Sequence, residues 1–179
     1  MNKAIFIDKD GTLIHDVPYN VNAALIRFEE YAFESLYLLQ QKGFYVIIIS
    51  NQPGIALGYF KEKDLSIVEE KIASSLRQHK VMLKGFYYCP HTPGENCECR
   101  KPNPGLFFKA AKEMEIDLSQ SWMIGDILND VEAGIRSGCN TILIDNGNET
   151  EWTWNKKRLP HYIVNHLKEA AKIILLHSA

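Results

Sequence analysis

Two aspartates lie two positions apart near the start of the chain, in the stretch Asp8-Lys9-Asp10-Gly11-Thr12. They follow a short apolar run at residues 4–7, which predicts a buried strand that ends at Asp8. Gly11 allows the backbone to turn sharply after the pair, so both carboxylates can face one crevice. One carboxylate could then act as a nucleophile while its neighbour carries a proton. A solvated acidic turn is the ordinary alternative when such a pair stands alone.

Two further acids, Asp126 and Asp130, follow another short apolar run at residues 122–125. If both runs are strands of one sheet, these acids lie at the same edge as the first pair. Hard divalent cations such as Mg²⁺ prefer oxygen ligands of this kind. The sequence therefore predicts a magnesium site built from acids that are distant along the chain.

Apolar runs alternate with helical patterns along the whole chain. The predicted strands are residues 4–7, 44–49, 86–88, 122–125 and 141–144, and the predicted helices are residues 29–42, 62–79, 130–137 and 167–176. Another helix is expected to begin at Asn103-Pro104, with Asn103 as the N-cap and Pro104 in the first turn. This alternation predicts an α/β fold, a doubly wound, Rossmann-like parallel β-sheet with helices on both faces and right-handed crossovers.

Polar residues end three of the predicted strands, at Asp8, at Ser50-Asn51 and at Gly125-Asp126. The carboxyl ends of the strands share one edge in an open parallel sheet, and ligands bind in the crevice beyond that edge. Any single polar ending could be the point where a strand meets water. Three of them together favour a functional site.

Three cysteines and one histidine form a cluster within eleven residues, at Cys89, His91, Cys97 and Cys99. Four protein ligands saturate tetrahedral Zn²⁺ and leave no open position, which is typical of a structural site rather than a catalytic one. The alternative is a loop that merely happens to contain cysteines. Cys139 lies outside the cluster and is interpreted as a small buried apolar residue.

Size and composition set limits on the function. We expect one domain over residues 1–179, with a zinc-binding loop at 89–100 and no segment long enough for a separate cap domain. The formal net charge of −2 offers no basic excess, which predicts no nucleic-acid partner. No apolar run approaches a signal-peptide core or a membrane span, so we expect a cytoplasmic protein without a membrane partner. The sequence leaves the oligomeric state open.

Four motifs occur in order over residues 8–130: D-x-D-G-T, S-N after a strand, R-K-P and G-D-x-x-x-D. Their order and spacing resemble the four signature motifs of the haloacid dehalogenase (HAD) superfamily. The resemblance implies a phosphatase in which Asp8 attacks phosphorus and forms an aspartyl-phosphate. Asp10 would protonate the leaving oxygen and then take a proton from water. Ser50 and Lys101 would hold the transferring phosphoryl group.

The same resemblance assigns the ligands of the predicted cation. Mg²⁺ would bind Asp8, the backbone carbonyl of Asp10, and Asp126. Asp130 would contribute through a water molecule or orient the site.

The cysteine loop indicates which phosphatases within the superfamily the chain resembles most. C-P-H followed by C-x-C-R-K-P is similar to the zinc loop of the D-glycero-D-manno-heptose-1,7-bisphosphate 7-phosphatases, and the histidinol-phosphate phosphatases carry a related loop. The stretch that begins Ser50-Asn51-Gln52 is more similar to the heptose enzymes. The resemblance implies substrate contacts from Asn51 and Arg100. The chain departs from the heptose pattern at Leu57, where an arginine is expected, and at Pro53 and Ile14, where a serine and an asparagine are expected.

The sequence is therefore compatible with three functions. The first is a magnesium-dependent phosphatase for a small phosphorylated metabolite, with heptose bisphosphate as the expected substrate. The second is a histidinol-phosphate phosphatase. The third is a zinc-stabilised interaction module on an inactive phosphatase scaffold, which would have no need for all four of Asp8, Asp10, Lys101 and Asp126.

Overall fold

The computed structural model describes residues 1–178, which form a six-stranded parallel sheet with five α-helices. The strands are β1 (Lys3–Ile7), β2 (Phe44–Asn51), β3 (Leu83–Cys89), β4 (Trp122–Gly125), β5 (Asn140–Ile144) and β6 (Tyr162–Val164). The helices are α1 (Ala32–Gln41), α2 (Glu62–Gln78), α3 (Gly105–Met114), α4 (Leu128–Ser137) and α5 (Leu167–His177). Short 3₁₀ turns lie at Ala23–Leu25, Pro93–Glu95 and Leu118–Gln120.

The strand order is β3-β2-β1-β4-β5-β6, and every neighbouring pair is parallel. The chain first winds outward from β1 through β2 to β3 and then returns to place β4 on the other side of β1. The direction of winding therefore reverses between β1 and β4, and such a switch point opens a crevice at the carboxyl ends of the strands. This arrangement confirms the predicted doubly wound fold. Each connection between strands within residues 1–178 contains at most one α-helix, so none forms a separate cap domain.

Both faces of the sheet are covered by helices. Ile5 and Ile7 of β1 belong to a core that includes the apolar faces of α1, α2 and α5. Ala4 and Phe6, which point to the opposite face, belong to a second core with α3 and part of α4. Successive side chains of a strand point to opposite faces, so a strand buried on both sides is apolar throughout. This accounts for the uninterrupted apolar run of β2.

The predicted elements agree with the observed ones to within a few residues, with two exceptions. The short strand β6 was not predicted, because its three residues are too few to show a periodicity. The predicted N-cap of the helix after the cysteine loop is wrong by one residue, since Pro104 occupies that position. Asn103 instead donates from Nδ2 to the carbonyl of Cys97 at 2.7 Å, which fastens the loop to the start of α3. Within residues 1–178 no helix combines the length and the apolar character that crossing a membrane requires.

The start of α3 lies against the backbone of the cysteine loop. The N–H of Gly105 donates to the carbonyl of Glu98 at 3.0 Å, and a Cβ atom at Gly105 would lie 2.5 Å from that same oxygen. A side chain therefore cannot be added there without moving backbone. Only glycine permits this close approach.

We predict that Gly105→Ala lowers the free energy of unfolding by about 1–3 kcal/mol, the usual range for overpacking a close contact. Gly94→Ala is the matched control in the same loop, because a Cβ at Gly94 meets nothing within 4 Å. Urea denaturation of the two variants measures the difference. Equal midpoints for both would contradict the close approach described for Gly105.

Candidate active site

The loop after β1 directs Asp8 and Thr12 toward the neighbouring strand β4. The N–H of Asp8 donates to the carbonyl of Ile124 at 3.0 Å, which continues the pairing of the two strands beyond their ends. Gly11 has a φ of +83°, and a Cβ there would collide with the carboxylate of Asp126. The sharp turn predicted at Gly11 is present, and the closeness of the loop to Asp126 leaves no room for a side chain there.

Three carboxylates meet at this switch point. Oxygen atoms of Asp8, Asp126 and Asp130 all lie within 4.8 Å of one another, and all three residues are buried. The acids after β1 and β4 therefore converge as the sequence predicted. Asp130 is the third residue of α4, and its Oδ2 accepts from the N–H of Ile127 at 3.3 Å.

Lys101 supplies the positive charge of this cluster. Its Nζ lies 2.5 Å from Oδ1 of Asp8 and 2.6 Å from Oδ1 of Asp130, and it donates to the carbonyl of Ile49 at 2.9 Å. The ammonium donates hydrogen bonds to Asp8 and to Ile49, and it forms a close ion pair with Asp130. The residue is 3% exposed, so water screens these ion pairs little.

The electrostatics of the cluster follow from burial and from the imbalance of charges. Burial raises the pKa of Asp8 to about 7, with Lys101 opposing the rise and Asp130 and Asp10 adding to it. Burial and the charge of Asp8 likewise raise the pKa of Asp126 to about 6. Burial alone would lower the pKa of Lys101, but Asp130 and Asp8 raise it above its usual value. Three acids thus share one ammonium, and the site is short of positive charge.

The residues present fit a hard divalent cation. Buried carboxylate oxygens at this spacing are the ligands that Mg²⁺ uses, and a cation would relieve their mutual repulsion. Asp126 is held in place from both sides, since Thr12 Oγ1 donates to its Oδ1 at 2.9 Å and Asn148 Nδ2 donates to its Oδ2 at 2.6 Å. Partners that orient a ligand in this way commonly surround metal sites. Asn148 was not predicted as a site residue, because it lies in a loop after β5 with no motif around it.

Asp10 lies in the loop after β1 and Ser50 near the end of β2, and Gln52 contacts both. Asp10 is half-buried, and Lys9 Nζ lies 2.6 Å from its Oδ1. Gln52 Nε2 donates both to Oδ2 of Asp10 at 3.0 Å and to Oγ of Ser50 at 2.8 Å. The structure therefore brings the two predicted residues together through Gln52. Sequence reasoning assigned nothing to Gln52, although it directly follows Ser50-Asn51.

Asn51 and Arg100 are placed by backbone contacts. Asn51 accepts at Oδ1 from the N–H of Lys101 at 3.0 Å and donates from Nδ2 to the carbonyl of Lys101 at 3.1 Å. The side chain thus fixes the segment that carries the Lys101 ammonium. Arg100 Nη1 donates to the carbonyl of His91 at 3.2 Å. The substrate contacts predicted for Asn51 and Arg100 stay predictions.

The four sulfur and nitrogen atoms of the cysteine loop lie close together. Cys89 Sγ is 3.2 Å from Cys99 Sγ and 3.5 Å from both Cys97 Sγ and His91 Nδ1, and Cys99 Sγ is 3.3 Å from His91 Nδ1. Tetrahedral zinc with bonds of about 2.0–2.3 Å would separate neighbouring ligand atoms by about 3.5–3.8 Å. The cluster is therefore close to a zinc tetrahedron in size, and all three thiols are free.

The three thiols of the cluster differ in acidity, since burial raises the pKa of Cys89 and that of Cys99 above the usual value. Partial burial favours the neutral thiol, but hydrogen bonds from the N–H of Arg100 and from Cys89 and Cys99 lower the pKa of Cys97 to about 7. Cys139 is 3% exposed and lies in the second core, in agreement with its predicted role as a buried apolar residue.

The segment after β5 packs over the start of α4. Glu149 Oε2 accepts from the N–H of Leu128 at 2.6 Å. Trp152 is partly buried and packs against the cluster of Leu128, Val131 and Leu143. Trp154 is 45% exposed and lies against Trp152 with the ring centroids 5.4 Å apart. Trp152, the less exposed of the two, therefore serves packing.

Comparisons with known proteins agree on one family. A family model described as HAD-hydrolase-like matches residues 98–170. The D-glycero-beta-D-manno-heptose-1,7-bisphosphate 7-phosphatase of Pasteurella multocida is 37% identical over 181 residues, which cover 97% of each protein. The protein of the same name from Helicobacter pylori is 39% identical over 156 residues, which cover 86% of this chain and 90% of the relative.

A solved structure extends the agreement to three dimensions. The D,D-heptose 1,7-bisphosphate phosphatase from B. bronchiseptica, complexed with magnesium and phosphate, superposes with a TM-score of 0.82 at 26% identity. The alignment covers 98% of this chain and 99% of that structure. The fold, the motifs and the relatives therefore indicate the same family. The chain belongs to the heptose-bisphosphate phosphatase family of the HAD-like hydrolases, and it is a phosphatase.

Proposed function

We propose that this phosphatase hydrolyses the 7-phosphate of D-glycero-D-manno-heptose 1,7-bisphosphate through an aspartyl-phosphate on Asp8, with Mg²⁺ in the site. The observation that carries the chemistry is the buried cluster of Asp8, Asp126 and Asp130 around Lys101 at the switch point of the sheet. The substrate is proposed because relatives 33–41% identical to this chain bear that name.

The reaction proceeds in two displacements. A carboxylate oxygen of Asp8 forms a bond to phosphorus as the bond to the sugar oxygen breaks, and Asp10 gives its proton to that leaving oxygen. Water then attacks the phosphorus of the aspartyl-phosphate, Asp10 takes a proton from this water, and Asp8 is released together with inorganic phosphate. Asp10 returns to its protonated form, so the cycle closes.

Charge repulsion is the main obstacle to the first displacement. A carboxylate about 4 Å from a phosphate dianion meets on the order of 8 kcal/mol of repulsion at an effective dielectric constant of about 20. Lys101 offsets part of this repulsion because its ammonium touches Asp8 directly. Mg²⁺ would supply two further positive charges. Asp8, Asp126 and the carbonyl of Asp10 would bind it, and Asp130 would contribute through a water molecule or orient the site.

The remaining residues position the phosphoryl group and the sugar. Ser50 accepts a hydrogen bond from Gln52, so its own hydroxyl hydrogen is available to a phosphoryl oxygen. Lys101 would share its charge between Asp8 and the phosphoryl group. Arg100 and Lys101 both line a cavity of about 240 Å³ beside the cysteine loop, but none of the acids of the site borders it. The proposed contact of Arg100 with the substrate therefore rests on the family resemblance and on its position next to Lys101. Asn51 is proposed to contact the substrate as well as to hold the Lys101 backbone.

The cysteine loop is proposed to bind structural Zn²⁺ through Cys89, His91, Cys97 and Cys99. Four protein ligands leave no position for water or substrate, so this metal would take no part in the reaction. Its proposed effect is to order the loop that leads into Arg100 and Lys101.

Histidinol phosphate is the second candidate substrate. The observation in its favour is Leu57, which is 44% exposed in the loop after β2 and replaces the arginine expected in heptose enzymes. An apolar residue there removes a possible contact to anionic substrate groups.

We predict that the protein releases phosphate from heptose 1,7-bisphosphate only when Mg²⁺ is present, and that Asp8→Asn lowers kcat on the order of 10⁴-fold or more. The amide is a far weaker nucleophile than the carboxylate, and loss of a nucleophile typically has effects of this size. Phosphate release is measured with both anomers of heptose 1,7-bisphosphate and with histidinol phosphate.

Asp117→Asn is the control, because Asp117 lies before β4 at the opposite edge of the sheet. If Asp8→Asn is nearly as active as the unchanged protein, Asp8 is not the nucleophile. Faster turnover of histidinol phosphate would retain the chemistry and overturn the proposed substrate.

We also predict about one zinc ion per chain in protein purified without chelator, as expected for a closed four-ligand site. Cys99→Ala should lose that zinc, whereas Cys139→Ala should keep it because Cys139 lies outside the cluster. Elemental analysis of the purified proteins measures the ratio. Absence of zinc from the unchanged protein, or its equal loss from both variants, would remove the proposed site.

A further inference from the structure

Gln52 is a buried polar residue directly behind the candidate active site. It follows β2 and is 5% exposed. Its backbone N–H donates to the carbonyl of Cys89 at 2.7 Å, which ties it to the end of β3. The backbone of Gln52 is therefore fixed on the framework of the sheet rather than on a free loop.

The side-chain amide of Gln52 uses both of its hydrogens. Nε2 donates to Ser50 Oγ at 2.8 Å and to Asp10 Oδ2 at 3.0 Å. An amide nitrogen has two hydrogens, so this donor is fully satisfied by two residues that the proposed reaction needs. No other residue type of this length offers two donors on one atom without bringing a charge into the site.

Lys9 holds the other oxygen of the same carboxylate. Its Nζ lies 2.6 Å from Asp10 Oδ1, and its side chain is 2% exposed. A buried ammonium is unfavourable unless it is paired, so this contact is strongly constrained. Asp10 is thus held at Oδ1 by Lys9 and at Oδ2 by Gln52.

We propose that Gln52 is a positioning residue that sets the Asp10 carboxylate and the Ser50 hydroxyl in a fixed relation to each other, with Lys9 as the second contact on Asp10. The inference rests on the proposed function, in which Asp10 is the acid and base and Ser50 holds the phosphoryl group. Gln52 acts through its contacts with Asp10 and Ser50 and not on the substrate.

Two separate consequences follow for the reaction. A fixed Asp10 directs its proton to the leaving oxygen, and general acid catalysis depends on this geometry. A Ser50 oxygen that accepts from Gln52 keeps its own hydrogen directed away from the amide and toward the phosphoryl group. The first effect depends on the leaving group, whereas the second is common to all substrates.

The test compares kcat/KM for two phosphate monoesters, heptose 1,7-bisphosphate and p-nitrophenyl phosphate. The sugar oxygen needs a proton to leave, whereas p-nitrophenolate leaves readily without one. Only steps up to the departure of the leaving group contribute to kcat/KM, so hydrolysis of the aspartyl-phosphate does not obscure the comparison.

We expect Gln52→Met to lower kcat/KM for the sugar phosphate at least about tenfold more than for p-nitrophenyl phosphate, a fraction of the 10²–10⁴-fold that a general acid contributes. Gln52→Glu, which keeps the length but places a second carboxylate beside Asp10, should show the same selective loss. Lys9→Met should lose activity with the same dependence on the leaving group. Gln41→Met is the control, because Gln41 is exposed at the opposite edge of the sheet.

Asp10→Asn separates failure of this inference from failure of the proposed function. Suppose that Asp10→Asn loses kcat/KM selectively for the sugar phosphate, whereas the Gln52 variants lose it equally for both substrates. The role proposed for Gln52 is then wrong and the proposed function stands, because Gln52 would affect only the general structure of the site. Equal losses in Asp10→Asn itself overturn the acid role of Asp10 and this inference with it. In the double variant Asp10→Asn/Gln52→Met we expect no further selective loss, and an added one contradicts a role through Asp10.

Discussion

The mutual repulsion of three buried carboxylates is the constraint around which this molecule is arranged. Asp8, Asp126 and Asp130 lie within 4.8 Å of one another in a region that water hardly reaches. Burial of like charges at this spacing is destabilising by itself. The surrounding structure therefore has to hold the acids in place, and Lys101 has to be held among them. A site with an excess of negative charge is also one that attracts a divalent cation.

The position of Lys101 depends on contacts far from its ammonium. Asn51 makes two hydrogen bonds to its backbone, and Arg136 of α4 donates to the carbonyl of Pro102 at 3.1 Å. On the other side, Gly105 brings α3 against the cysteine loop that leads into this segment. The loop, the helix and the end of β2 thus fix one short segment from three directions. A flexible lysine could not serve as a reliable counter-charge to Asp8.

Much of this arrangement was predictable because it depends on the ends of strands. Asp8, Ser50 and Asp126 follow apolar runs, and parallel strands bring their carboxyl ends together whatever the details of packing. The cluster of Cys89, His91, Cys97 and Cys99 was predictable for another reason, since the spacing of these residues along the chain is local. The side-chain contacts that complete the site could not be predicted from the sequence. Asn148 acts from a distant loop with no motif around it. Gln52 lies in the Ser50-Asn51-Gln52 stretch, but its contact with Asp10 forms only in the folded chain.

The pairing of β1 with β4 has a consequence for how the site comes into being. The hydrogen bond from Ala4 to Ser121 spans 117 residues, and Ile5 lies opposite Trp122 in the sheet. A chain that stopped after β3 would contain Asp8, Asp10 and Ser50 but neither Lys101 nor Asp126. Contacts of such long sequence separation require a large loop to close before they contribute anything. The site therefore forms only when the whole sheet has formed, and neither half of the chain contains a functional part of it by itself.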